Sequence, residues 1–200
     1  MEIILLGGFL GSGKTTLLLQ LADWCRRTSG KELPVAVLEN EVGSVGVDDR
    51  LVQAQGYAVT KLMAGCACCT LAAELPDAVR GIKRDLDPDV LIIEASGMAL
   101  PESIRDNVEK YTGIRPRVCL VADASRWRRM RKPLAQILPE QYRVADVVFV
   151  SKVDLVDGEE LAYVDESLDE LCPASAPRLH VSLTSTLDDE DLQLILGGKR

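Results

Sequence analysis

The chain is short of positive charge. Its 23 lysines and arginines face 31 aspartates and glutamates, leaving a net charge of −8 over 200 residues. Broad nucleic-acid binding is excluded on that ground, because the phosphate backbone demands clustered positive charge. The one basic cluster, "RWRRMRK" at 126–132, reads as a solvated face, with docking of an acidic partner or a phosphate as the alternative. Long apolar runs are also missing. Nothing approaches the ~18 consecutive apolar residues of a membrane span, and no membrane association is expected. The N-terminal run "IILLGGFLGSGK" is too short and too glycine-rich for a span, and no signal peptide is visible. A soluble cytoplasmic protein is therefore expected, in a compartment where thiols stay reduced. There is no internal repeat and no low-complexity tract. The single histidine, His180, reads as a packed or partly exposed core residue.

What is present is globular. Apolar content of 47% and charged content of 27% support a sizeable core, and the length fits one domain over residues 1–200. Short apolar runs at 2–6, 35–38, 57–60, 89–93, 117–121, 146–150 and 178–182 predict strands. Several are apolar throughout, as expected for strands covered on both faces. Amphipathic stretches at 14–27, 70–84, 101–111, 134–144 and 158–171 predict helices. Pro101 suits a helix start, and Pro133 should break any helix running through the basic cluster. The alternation predicts an α/β fold with a mostly parallel sheet flanked by helices. Ligands of such sheets bind at the carboxyl ends of the strands, so chemistry is sought in the residues that follow each one.

After the first strand, residues 8–15 match G-x-x-x-x-G-K-[ST] with Gly8, Gly13, Lys14 and Thr15. Gly11, Ser12 and Gly13 let the backbone curl so that its N–H groups face a phosphate, and the helix that follows adds positive potential. Lys14 can neutralise β- and γ-phosphates, Thr15 can ligate Mg²⁺, and Thr16 completes the phosphate-binding "GKTT". This is a P-loop NTPase signature in its strand–loop–helix context. After the second strand, "ENEVGSVGVDD" places Glu39, Glu41, Asp48 and Asp49 beside the phosphate site, in a glycine-containing segment suited to a nucleotide-sensing switch. After the fourth strand comes "EASG". Glu94 ends a buried strand, where a carboxylate needs a partner, and a Mg²⁺ shell would supply one. Gly97 can bring its N–H near a γ-phosphate. After the sixth strand comes "SKVD". Asp154 can accept from guanine N1–H and N2–H₂, donors that adenine lacks. The Lys152 stem can lie along the base, and the loop beginning at Ser182 can close over it.

Between the second and fourth of these segments lies "LMAGCACCTL", with Cys66, Cys68 and Cys69 inside four residues. Three readings compete: a metal site, a C-x-x-C redox pair, and small apolar packing. Zn²⁺ and Co²⁺ accept thiolates at ~2.3 Å in tetrahedral sites. Cys66 with Cys68, or Cys66 with Cys69, can pinch one ion, whereas all three would strain the backbone. Cys25, Cys119 and Cys172 sit alone in apolar patterns and read as packing residues.

Together "GGFLGSGKTT", "ENEVGSVGVDD", "GCACC", "IIEASGMALPES" and "SKVD" resemble the CobW/HypB/UreG family of P-loop GTPases, most closely its CobW-like branch. The motifs span residues 7–154 in family order. The resemblance implies GTP hydrolysis with GTP/GDP and Mg²⁺, coupled to delivery of Zn²⁺ or Co²⁺ or to cobalamin-related metallocofactor assembly. It implies Glu39 as a further ligand beside the thiolates, and Lys14, Thr15 and Glu94 as the catalytic set. It implies a client metalloprotein or cobalamin-pathway protein as partner, and related GTPases imply a nucleotide-dependent homodimer. Three departures stand out. Position 151 is Ser where many GTPases have Asn, so base contacts through Ser151 are expected to be weaker. The carboxy-terminal domain common in CobW-like proteins is expected to be absent. No histidine-rich stretch stores metal. The readings set against a GTP-gated metallochaperone are a thiol redox module with bound nucleotide and a P-loop small-molecule kinase. "SKVD" and "GCACC" have no role in a kinase.

Overall fold

The apolar runs form β1 (Glu2–Gly7), β2 (Val35–Asn40), β3 (Ala58–Lys61), β4 (Val90–Ala95), β5 (Arg117–Asp123), β6 (Val147–Ser151) and β7 (Arg178–Val181). This is a computed structural model, and it describes residues 1–31, 33–40, 58–61 and 71–198. The strands make one sheet in the order β3-β2-β4-β1-β5-β6-β7, and every neighbouring pair is parallel. All seven expected strands are there, with bounds shifted by at most two residues.

Alternation within each strand divides the core. Ile3, Leu5, Leu91, Ile93, Val118, Leu120, Val148 and Val150 face one side of the sheet. Ile4, Leu6, Ile92, Cys119, Val121, Val147 and Phe149 face the other. Both faces are dry, which is why the strands read as unbroken apolar runs. On the second face lie α1 (Lys14–Thr28), through Leu17, Leu18, Leu21 and Trp24, and α7 (Asp189–Ile195), through Leu192 and Ile195. On the first face lie α2 (Leu71–Asp85), α3 (Pro101–Thr112), α4 (Trp127–Arg131), α5 (Leu138–Tyr142) and α6 (Gly158–Leu171).

Helix ends follow local chemistry. Pro101 opens α3, and Gly113, at φ 71°, closes it by donating its N–H to Glu109 O. Asp157 and Asp188 cap α6 and α7, accepting from Glu160 N and Asp191 N at 2.9 Å. The helix expected over 134–144 is shorter, and Pro139, which lacks an N–H, sits in the first turn of α5, the position proline favours. Helix α7 has no counterpart among the sequence-based expectations.

The basic cluster folds as α4 and stops before Pro133. Trp127 is 1% exposed and meets Tyr142 edge to face at 5.4 Å, so the cluster hangs on a core anchor. Its arginines spread over α6. Arg128 donates to Glu160 at 2.8 Å and lies 4.2 Å from the Tyr163 ring, while Arg131 pairs with Glu170. His180, expected in or near the core, points outward from β7, and its Nε2 lies 2.9 Å from Asp165 Oδ1. Cys25 and Cys119 are buried and Cys172 partly so, as expected of packing thiols. Burial pushes Cys25 up to about 12 and Cys172 up to about 11, so neither is a thiolate near neutrality.

Candidate nucleotide site

The loop from Gly8 to Gly13 joins the carboxyl end of β1, a central strand, to α1. Gly8 has φ 134°, and a β-carbon there would stand 2.4 Å from Val121 O of β5, so only glycine fits. Inside the loop, Phe9 O accepts from Ser12 N at 3.1 Å and from Lys14 Nζ at 3.3 Å. Lys14 is 6% exposed, so its ammonium is held within the loop's curl. Thr16 is exposed in the first turn of α1.

Two predicted Mg²⁺ ligands meet across 79 positions of sequence. Thr15 Oγ1 donates to Glu94 Oε1 at 3.1 Å, and Glu94 is 4% exposed at the end of β4. A hydroxyl and a buried carboxylate side by side form a hard oxygen pair, the donor chemistry Mg²⁺ takes, so these residues fit that ion. Gly97 packs directly on the loop, since a β-carbon there would lie 2.9 Å from Leu10 N. Its carbonyl, with that of Ala99, accepts from the Gln141 carboxamide at 3.0 and 3.1 Å.

The segment after β6 is tied down from both sides. Ser151 is fully buried, and its hydroxyl lies 2.7 Å from Ser12 O and 3.2 Å from Ala122 O. One proton serves two protein carbonyls, so this side chain braces the loop rather than offering a donor to a base. Lys152, at φ 60°, reaches Asp123 Oδ2 at 2.6 Å. Asp123 is 2% exposed, and its other oxygen accepts from Ser125 N and Oγ. Sequence reasoning passed over Asp123. It carries the signal that singled out Glu94, a carboxylate closing an apolar strand. Asp154 stands exposed in the short 3-10 turn Val153–Leu155.

The loop after β7 is fastened to α1 by a residue the motifs do not include. Gln20 Nε2 donates to Leu183 O at 3.2 Å and to Ser185 O at 3.0 Å, and Gln20 Oε1 accepts from Leu187 N at 2.8 Å. The Leu183 side chain lies over Gly13, where a β-carbon would come within 2.7 Å of Cδ1. Ser182 itself bonds within the loop, to Thr184 through its hydroxyl and to Ser185 through its carbonyl.

Cys66, Cys68, Cys69, Glu41, Asp48 and Asp49 lie outside the described residues. Across the sheet, Lys61 of β3 pairs with Glu39 of β2, Glu39 with Glu94 of β4, and Glu94 with Leu6 of β1. Lys61, the last described residue of β3, thus lies two strands from Glu94, roughly 10 Å away with strands ~4.8 Å apart. Among the described residues no further group of metal-ligating side chains gathers.

A glycine-rich loop between a central parallel strand and a helix, with a buried acid of the next strand against its threonine, defines a P-loop nucleotide-binding protein. The chain belongs to the CobW/HypB/UreG nucleotide-binding domain family, whose model matches residues 2–177. The zinc chaperone YjiA of Escherichia coli (strain K12) is 40% identical over 107 residues, covering 51% of this chain and 32% of that protein. The zinc chaperone CobW of Pseudomonas aeruginosa is 28% identical over 221 residues, covering 91% and 56%. The zinc-regulated GTPase metalloprotein activator 1 of Dictyostelium discoideum is 26% identical, covering 86% and 44%. The chain thus spans about half or less of the length of these relatives. The fold matches that of the hydrogenase maturation factor HypB from Archaeoglobus fulgidus with a TM-score of 0.67 at 20% identity, covering 98% of this chain and 89% of that one. The signal recognition particle receptor FtsY from Elizabethkingia anophelis, in complex with GDP, matches with a TM-score of 0.65 at 19% identity, covering 100% and 64%. No helix among the described residues is long and apolar enough to cross a membrane.

Proposed function

We propose that this chain binds and hydrolyses GTP and uses the cycle to gate a transition-metal ion held by Cys66, Cys68 or Cys69 with Glu39. The ion is cargo for a client metalloprotein. Relatives named as zinc chaperones favour Zn²⁺ as that cargo, and nothing found speaks for Co²⁺. The observation that carries the reading is the row Lys61–Glu39–Glu94 on three adjacent strands, which ends against the Thr15 hydroxyl. It brings Lys61 and Glu39 into backbone register with Glu94, which supports coupling between a Glu39 metal ligand and a Glu94 Mg²⁺ ligand. Neither a redox module nor a kinase requires that juxtaposition.

In this reading the protein's own part is positioning and charge. Loop amides and Lys14 take the phosphate oxygens. Thr15 and Glu94 would hold Mg²⁺, whose charge would offset that of the phosphates. Asp154 reads guanine. The Ser182 loop covers the base, held in place by Gln20 and by Leu183 against Gly13. Gln20→Leu keeps the volume and removes all three hydrogen bonds to that loop. GDP should then leave about 5–20-fold faster, the scale of one or two lost hydrogen bonds. Stopped-flow displacement of a fluorescent GDP measures this, and an unchanged rate would remove Gln20 and its loop from base binding.

Nucleotide and metal must then be linked. If Glu39 serves the ion while its strand neighbour Glu94 serves Mg²⁺, each ligand changes the other's affinity by the same factor. A coupling of roughly 5–150-fold is typical of allosteric systems. The test is zinc affinity in the apo, GDP-bound and non-hydrolysable-GTP-bound protein. Three equal values would leave a GTPase beside an ungated metal site. Changing Cys66 and Cys69 together to Ser should abolish tight zinc binding and spare GDP binding.

A further inference from the structure

The nucleotide chemistry occupies the carboxyl edge of the sheet. The opposite edge holds a cavity that this chemistry leaves unused. It lies under the first residue of β5 and the residues just ahead of β6 and β7, with a volume of about 360 Å³. That is within the ~300–1,000 Å³ range of small-molecule sites. The span of β5 separates it from the P-loop by roughly 20 Å.

Four arginines line it: Arg105 from α3, Arg115 from the turn after α3, Arg117 from β5 and Arg143 after α5. In a chain of net charge −8, four cations gathered in one concavity run against the composition. Their fixed partners sit outside. Arg105 pairs with Asp106 at 2.9 Å, Arg115 with Glu109 at 3.0 Å and Arg143 with Glu140 at 2.8 Å, and Arg143 also reaches Glu102. None of these carboxylates lines the cavity. The one acid in the lining is Asp146, and its Oδ2 is engaged by Val118 N at 2.8 Å. Arg117 donates from Nε to Leu194 O at 3.2 Å, on the α7 side of the sheet, and Arg115 from Nη1 to Glu109, so each keeps N–H donors beyond those bonds. Arg105 is held tightest, with 12% of its side chain exposed.

An excess of forked donors over acceptors matches oxyanions, which take guanidinium groups in pairs. We propose that this cavity is a second ligand site, for a small oxyanion bearing two or more negative charges, of the diphosphate or polycarboxylate type. It is independent of the P-loop. The proposal therefore stands or falls apart from the GTPase reading.

The experiment is calorimetric titration of the full chain with inorganic pyrophosphate and, separately, with citrate, in metal-free buffer. Both titrations are repeated in Lys14→Ala to remove phosphate binding at the P-loop. Saturable binding that persists in Lys14→Ala is expected, falling steeply with salt. Arg143→Gln should weaken it about 5–10-fold, and Arg117→Gln combined with Arg143→Gln more than either alone. Arg143 is half exposed, so its replacement does not threaten the fold. Arg117→Lys keeps the charge and should lose less than Arg117→Gln. Arg84→Gln, a remote surface change, should have no effect. Tighter pyrophosphate than citrate binding would identify a phosphate ligand, and the reverse a carboxylate. No saturation by either anion up to ~10 mM would overturn the proposal. So would binding that vanishes in Lys14→Ala or ignores Arg143→Gln.

Discussion

Lys14→Ala should lower GTP turnover by about 10³-fold or more while the chain still folds. The ammonium is enclosed by the loop, with Nζ 3.3 Å from Phe9 O. Preorganised charge inside a dry site costs little reorganisation at the moment of reaction, and loss of a single such donor commonly costs 10²–10³-fold (~3–4 kcal/mol). A full positive charge facing transferred phosphate is worth at least the upper end of that range. The fold should survive because the glycine conformations and the Ser151 brace hold the loop without Lys14. Steady-state phosphate release measures the first effect, and far-ultraviolet circular dichroism with a thermal melt checks the second. Turnover within tenfold of the unsubstituted chain would show that phosphate is bound elsewhere.

Asp154→Asn should convert a guanine site into a xanthine site. A carboxylate can accept from both guanine donors, whereas an asparagine offers one acceptor and one donor, which suits the extra carbonyl of xanthine. Sites built to hydrogen-bond a polar group reject the mismatched analogue strongly, by up to ~10⁴–10⁵ when the buried groups are left unpaired. Asp154 is exposed, and Ser151 spends its hydroxyl on Ser12 O and Ala122 O. With fewer fixed contacts around the base, a loss in GTP affinity of about 10²-fold is expected, with a matching gain for xanthosine triphosphate. Competition against fluorescent GDP by GTP, ATP and xanthosine triphosphate reads the exchange directly. Equal GTP and ATP binding by the unsubstituted chain would contradict the assignment, and so would a variant with no gain for xanthosine triphosphate.

Gln20 and Asp123 show where sequence patterns run out. Gln20 is one polar residue on an otherwise amphipathic helix, and nothing local marks it as the clamp on a loop more than 160 positions away. Its role follows only from the packing of α1 beside β7. Asp123 closes an apolar strand as Glu94 does, but its partner Lys152 lies 29 positions on, and no spacing in the sequence marks the pair. The shortened α5 and the core anchor Trp127 were hidden for another reason. Periodicity in the 126–144 region is broken by Pro133 and Pro139, and an arginine-rich surface masks one buried indole.

The sequence by itself determined the seven strands, the burial of the central ones on both faces, the phosphate loop and the family. Those properties are written in local patterns: unbroken aliphatic runs, glycines where a backbone must curl, and charged residues at strand ends. Tertiary structure decided what only proximity can decide. It set Thr15 against Glu94, turned Ser151 inward as a brace, aligned Lys61, Glu39 and Glu94 in one row, and gathered four arginines at the edge remote from the nucleotide. The physical reason is the parallel sheet. Its strand order is not the chain order, so residues that meet across it carry no common spacing in the sequence, and each contact is fixed by register and packing rather than by neighbours along the chain.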